Sequence, residues 1–120
     1  MLFRSGQDVV DLICESSGGV LRDLITLARD AGEAAYIEGA GEIQFQHAVA
    51  AIQQLGESYL RGLGPEQIGI LWRLKKKRSF DVAASPNIEL LVTGRVLEYS
   101  ATDFRVHPAL DLLLPEPESK

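Results

Sequence analysis

Gly18, Gly19 and Arg22 lie in the stretch SSGGVLRDL, residues 16 to 24, where two glycines precede an arginine in what reads as the first turn of a helix. The chemistry open to such a group is anion binding. Backbone N–H groups and the positive end of the dipole point out of a helix N-terminus, glycine lets a ligand come close, and arginine adds charge-assisted hydrogen bonds to phosphate. The same residues also serve as a tight turn between two helices, with Arg22 paired to a neighbour or to solvent. A second cationic group, Lys75, Lys76, Lys77 and Arg78, follows a helical segment bearing Trp72. It can neutralise nucleic-acid phosphates or meet a protein partner, and it can equally complement the dipole of a solvated helix end.

Other chemistry is poorly represented. There is no GxxxxGK[S/T] phosphate loop and no apolar strand ending in paired acids, so the chain is not expected to hydrolyse ATP or to act as an enzyme by itself. His47 and His107 stand sixty residues apart, and no HxH, HExxH or second cysteine supports a metal site. His107 precedes Pro108 at an expected helix start and reads as structural, whereas His47 is placed on a polar helix edge with Gln44 and Gln54. Cys14 reads as a small buried hydrophobe. Tyr36, Tyr59, Trp72 and Phe80 read as core or near-core residues.

The elements that must position these groups follow from periodicity. Val9, Val10, Leu12 and Ile13 predict a short helix over about residues 7 to 15. Leu21, Leu24, Ile25, Ala28, Ala31 and Ala35 form the apolar stripe of a second helix, with Ser17 as its N-cap and EGAG, residues 38 to 41, as its stop. Phe45, Ala48, Ile52, Leu55, Tyr59 and Leu60 mark a third, ended by GLGP. Pro65 then opens a helix buried through Ile68, Leu71, Trp72 and Leu74, and SPN opens another through Ile88, Leu90, Leu91 and Val92. From Val96 the period changes to two, giving a hairpin from Val96–Tyr99 and Phe104–Val106, before a short helix in PALDLLL. The expected fold is mainly α: a three-helix bundle over 1–64, then a reduced winged-helix region with a two-stranded hairpin over 65–115, one of its usual helices shrunk to SFDVAA, and a disordered tail over 116–120.

Charge is unevenly spread along these 120 residues. The chain carries 12 basic and 17 acidic side chains, net −5, but residues 65–80 alone hold five basic against one acidic. Non-specific attraction to nucleic acid is therefore confined to that island. The expected reading helix, SPNIELLVTG, offers only Asn87, Glu89 and Thr93 as polar groups, too little for sequence-specific base recognition. One cysteine, no secretory leader and no apolar run of membrane length point to the cytoplasm and away from a membrane.

SSGGVLRDLITLARDAGEAAYIEG resembles the start of the helical lid of AAA+ ATPases, especially the replication-initiator and STAND-like branches, in which a glycine-rich turn precedes the sensor-2 arginine. GRVLEYSATDFRVHPAL is similar to the wing of some bacterial ATPases of this kind, and a lid followed by a winged helix is the usual C-terminal half of such proteins. The resemblance implies that Arg22, with Gly18 and Gly19, senses the γ-phosphate of ATP bound with magnesium in an N-terminal ATPase domain of the same parent chain, and that no cofactor belongs to this chain itself. The winged half would contact a protein or DNA. An alternative from another class is a free-standing winged-helix DNA-binding protein that dimerises through its N-terminal helices.

Overall fold

The computed structural model describes residues 6–77, 80–81, 85–100 and 102–115. Six helices and one two-stranded antiparallel sheet occur among them. The order is α1 (Gly6–Ser16), α2 (Leu21–Glu38), α3 (Phe45–Leu60), α4 (Pro65–Lys77), α5 (Ser85–Val92), β1 (Val96–Ser100), β2 (Asp103–Val106) and α6 (Pro108–Asp111). The chain divides into two compact units, Met1–Leu55 and Gly56–Lys120, the division falling inside α3. Most of the segment read as a reduced helix, residues 79–84, lies outside the described residues, as do Arg78 and the tail 116–120; Phe80 and Asp81 are in no regular element.

In the first unit α1 packs on α2. Val9 and Ile13 of α1 are buried, but Cys14 is exposed, so it is not the small core residue its neighbours implied. The buried line of α2 runs through Asp23, Leu27, Ala31 and Ala35, which recur every four residues on one face. The expected stripe was turned from this: Leu21 is 68% and Ile25 56% exposed, and Tyr36, read as near-core, is 84% exposed. Two apolar stripes share Ala31 and Ala35, and the one containing Leu27 is covered. An aspartate can stand on that line because it occupies the first helical turn, where the dipole favours negative charge and Arg22 lies beside it. Gly39 ends α2 in the left-handed region, with the Gly39 and Ala40 N–H groups bonded to Tyr36 and Ala35 carbonyls at 3.0 and 2.9 Å.

In the second unit α4 and α6 pack on β2, and α5 packs on β1. Leu71 and Leu74 of α4 and Leu90 of α5 are the fully buried residues of their helices, each burial worth about 1.5–3 kcal/mol, while Ile88 and Val92 are exposed. The hairpin pairs Val96 with Val106, Leu97 with Arg105 and Glu98 with Phe104, then shifts register between Glu98 and Ser100. Val96, Phe104 and Val106 face the core as the period of two requires, and Phe80 stacks on Phe104 at 5.2 Å between centroids. Gly56 is where the α3 backbone meets α6. A Cβ there would overlap the Ala109 carbonyl oxygen and come within 2.9 Å of Leu113 Cδ1.

Candidate functional site

The turn that delivers Arg22 is built by residues 17–20. Ser17 is buried, donates its hydroxyl to the Cys14 carbonyl at 2.8 Å and accepts from the Gly19 N–H at 3.3 Å. It therefore finishes α1 and does not cap α2, because a serine hydroxyl bonded back along the helix it leaves is no longer directed at the next one. Gly18 and Gly19 have φ of 67° and 84°, so the reversal needs residues without a Cβ, and a Cβ on Gly19 would meet nothing within 4 Å. Val20 then holds the N-cap position in extended conformation, and no side-chain hydrogen bond is made from it.

Arg22 sits one residue into α2 with its side chain 73% exposed, and its Nε lies 3.5 Å from Oδ1 of Asp23, which is only 3% exposed. The guanidinium is thus held at the helix entrance by a carboxylate beneath it, yet faces outward. The start of α2 presents a Gly19 with room in front of it and an outward arginine held beside a buried carboxylate. No group of three His, Cys, Asp or Glu side chains that could hold a metal ion occurs among the described residues.

The basic island is partly committed within its own unit. Lys75, Lys76 and Lys77 form the last turn of α4, where cations complement the dipole, and Arg78 lies outside the described residues. Lys75 Nζ is 3.2 Å from Asp111 Oδ1, and Lys75 and Lys76 stand 4.8 and 5.2 Å from the Trp72 ring centre. With both partners of the ion pair about one third exposed, it contributes at most about 1 kcal/mol. A groove of about 330 Å³ lies beside it, lined by Leu74, Lys75, Tyr99, Phe104, Arg105 and Asp111 among others. Burial pushes the Tyr99 hydroxyl above its ordinary 10.0, Arg105 pulling it back and Asp103 adding to the rise. On α5 Asn87 donates to the Asp81 carbonyl at 2.8 Å, and just beyond its end Thr93 donates to the Glu89 carbonyl at 2.9 Å, so two of the three polar groups offered for base reading serve the fold instead.

Both histidines are structural, though only His107 was placed correctly by its neighbours. His107 is fully buried, its Nδ1 accepts from the Ala109 N–H at 3.1 Å to cap α6, and its ring lies 4.7 Å from that of Tyr59. His47 is 4% exposed and not on a polar edge: Nδ1 accepts from the Gln44 N–H at 2.9 Å, and Nε2 bonds Glu38 Oε1. This is one half of a capping box, with imidazole at the third helical position, and the Glu38 bond joins the end of α2 to the start of α3. Arg95 carried no signal in the sequence. Its Nε and Nη2 donate to the Tyr59 and Arg61 carbonyls at 2.6 and 3.0 Å, capping the C-terminus of α3. Asp23 was also missed: with Ser17 taken as the cap it fell among the charges off the apolar stripe, whereas the helix starts at Leu21 and buries it.

No helix among the described residues is long and apolar enough to cross a membrane. Comparison with protein-family models, with curated protein sequences and with solved structures finds no match.

Proposed function

We propose that the chain is the C-terminal regulatory module of a cytoplasmic AAA+ type ATPase, in which Arg22 reports the nucleotide state of an N-terminal ATPase domain of the same parent and the helix–helix–hairpin half contacts a partner. The observation that carries this reading is the start of α2: two left-handed glycines, an N-cap with no side-chain bond, and an arginine that is 73% exposed while anchored on Asp23. Bound ATP, with magnesium held by the ATPase domain, would supply the γ-phosphate. The residues of this chain do the rest. Gly18 and Gly19 clear the approach, the α2 dipole favours the anion, and the Arg22 guanidinium donates to it.

The second half of the reading is supported by the element order α4, α5, hairpin, α6 and by what those elements expose. Asn87 and Thr93 are occupied and Lys75 is paired, whereas Ile88 and Val92 on α5 are 47% and 79% exposed. A protein partner fits this surface better than the edges of bases.

The test is Arg22→Ala in the parent ATPase. A charge-assisted hydrogen bond worth about 1.5–3 kcal/mol predicts roughly ten- to hundredfold weaker ATP affinity or slower hydrolysis, partly restored by Arg22→Lys. Unchanged affinity and hydrolysis reject the sensor assignment. A phosphate loop encoded in frame upstream of Met1 is the simplest prior check, since without one no γ-phosphate is supplied in cis.

A further inference from the structure

The outer face of α2 is apolar along its length. Leu21, Ile25, Ala28, Gly32 and Tyr36 fall on one stripe at spacings of four, three, four and four, with Leu21 68%, Ile25 56% and Tyr36 84% exposed and Ala28 exposed as well. On the α1 side the stripe is widened by Val10, 51% exposed, and Cys14, which border a shallow apolar groove of about 270 Å³ with Leu24 and Ala28. The opposite rim is charged in an ordered way. Its first half carries Arg22 and Arg29, and its second half Asp30 and Glu33.

This face is its own complement. We infer that α2 pairs antiparallel with α2 of a second copy of the chain about a two-fold axis passing between Ala28 and Arg29. That register sets Leu21 against Tyr36 and Ile25 against Gly32 of the second copy, where Ile43 Cδ1 lies 3.8 Å from the point at which a side chain would begin. It sets Glu33 opposite residue 24 of the second copy, two residues or about 3 Å of helix rise from its Arg22, so one acid–base pair forms on each side of the axis while Arg29 and Asp30 stay paired within their own chain. At the centre Arg29 approaches its own copy, but each guanidinium is already held by Asp30 at 3.3 Å and brings little net charge. Nucleic acid and acidic membranes do not suit the face, because residues 1–64 carry nine acidic side chains against four basic ones. An 18-residue helix is about 27 Å long, so a single helix pair flanked by part of α1 makes a small interface and a concentration-dependent dimer. The inference does not rest on the nucleotide reading, although Arg22 lies at the rim and pairing would draw on the same guanidinium.

The experiment is sedimentation equilibrium of the 120-residue chain without nucleotide, from micromolar to submillimolar concentration. The expected result is a mass rising toward twice that of the chain, with association at least tenfold weaker in Ile25→Asp and in the milder Ile25→Ser. Both variants should keep the parental circular dichroism, since Ile25 is already exposed. Glu33→Arg should weaken association severalfold and Arg22→Glu/Glu33→Arg should restore it. A chain that stays monomeric, a dimer indifferent to Ile25, or a charge swap that fails to restore pairing each overturn the proposal. So does protection of α2 by an added ATPase domain while the chain alone remains monomeric, which would assign the face to that domain.

Discussion

At the start of α4 the third helical residue, Gln67, returns its side chain to the Gly64 N–H at 2.9 Å; at the start of α2 the N-cap Val20 makes no side-chain bond, and the third helical residue is Asp23, buried beside Arg22. The α3 and α6 starts follow α4, His47 accepting from the Gln44 N–H and His107 from the Ala109 N–H. Helix starts that close on themselves are parts of the scaffold. The α2 start differs from these three in being preceded by two left-handed glycines and carrying an outward arginine, and the proposed reading rests on that contrast.

The contrast can be broken experimentally at three places. His107→Ala should have the largest effect, removing a fully buried ring stacked near Tyr59 as well as the α6 cap, and should lower unfolding free energy by about 3 kcal/mol or more in urea titrations. A cost no greater than that of an exposed cap would remove His107 from the scaffold. Gln67→Ala deletes only the α4 cap and should cost about 1 kcal/mol, read as a lower urea midpoint at unchanged slope. Val20→Asp puts a carboxylate at the α2 N-cap. It should raise the stability of the chain by about 1 kcal/mol while weakening the nucleotide response of the parent, because a carboxylate then occupies the place proposed for phosphate. If Val20→Asp destabilises the chain, the start of α2 is already satisfied from within and the contrast disappears.

The helices, the hairpin and their order were legible in the sequence, because periods of 3.6 and 2 and the proline starts at 65 and 108 are local signals. The face that α2 buries was not. Leu21, Ile25 and Ala28 compete with Leu27 for the core, and a helical wheel cannot say which of two stripes sharing Ala31 and Ala35 is covered. Ser17 was read as starting α2 since its type suits a cap, but its hydroxyl turned back to Cys14. His47 hid for a related reason: a histidine among glutamines looks solvated until the end of α2 brings Glu38 to it. Of the proposed site, Gly18, Gly19 and Arg22 were visible as residue types, whereas the Asp23 carboxylate that steadies Arg22 depends on burial, which spacing does not encode.

Gly56 has a bearing on how this chain can vary. With the Ala109 carbonyl lying where a side chain would begin, any relative that keeps α6 against α3 must keep glycine at this position or move the short helix and the Pro108 turn with it. Position 56 is accordingly a more discriminating marker of common descent than the leucines around it, which can exchange for one another at little cost.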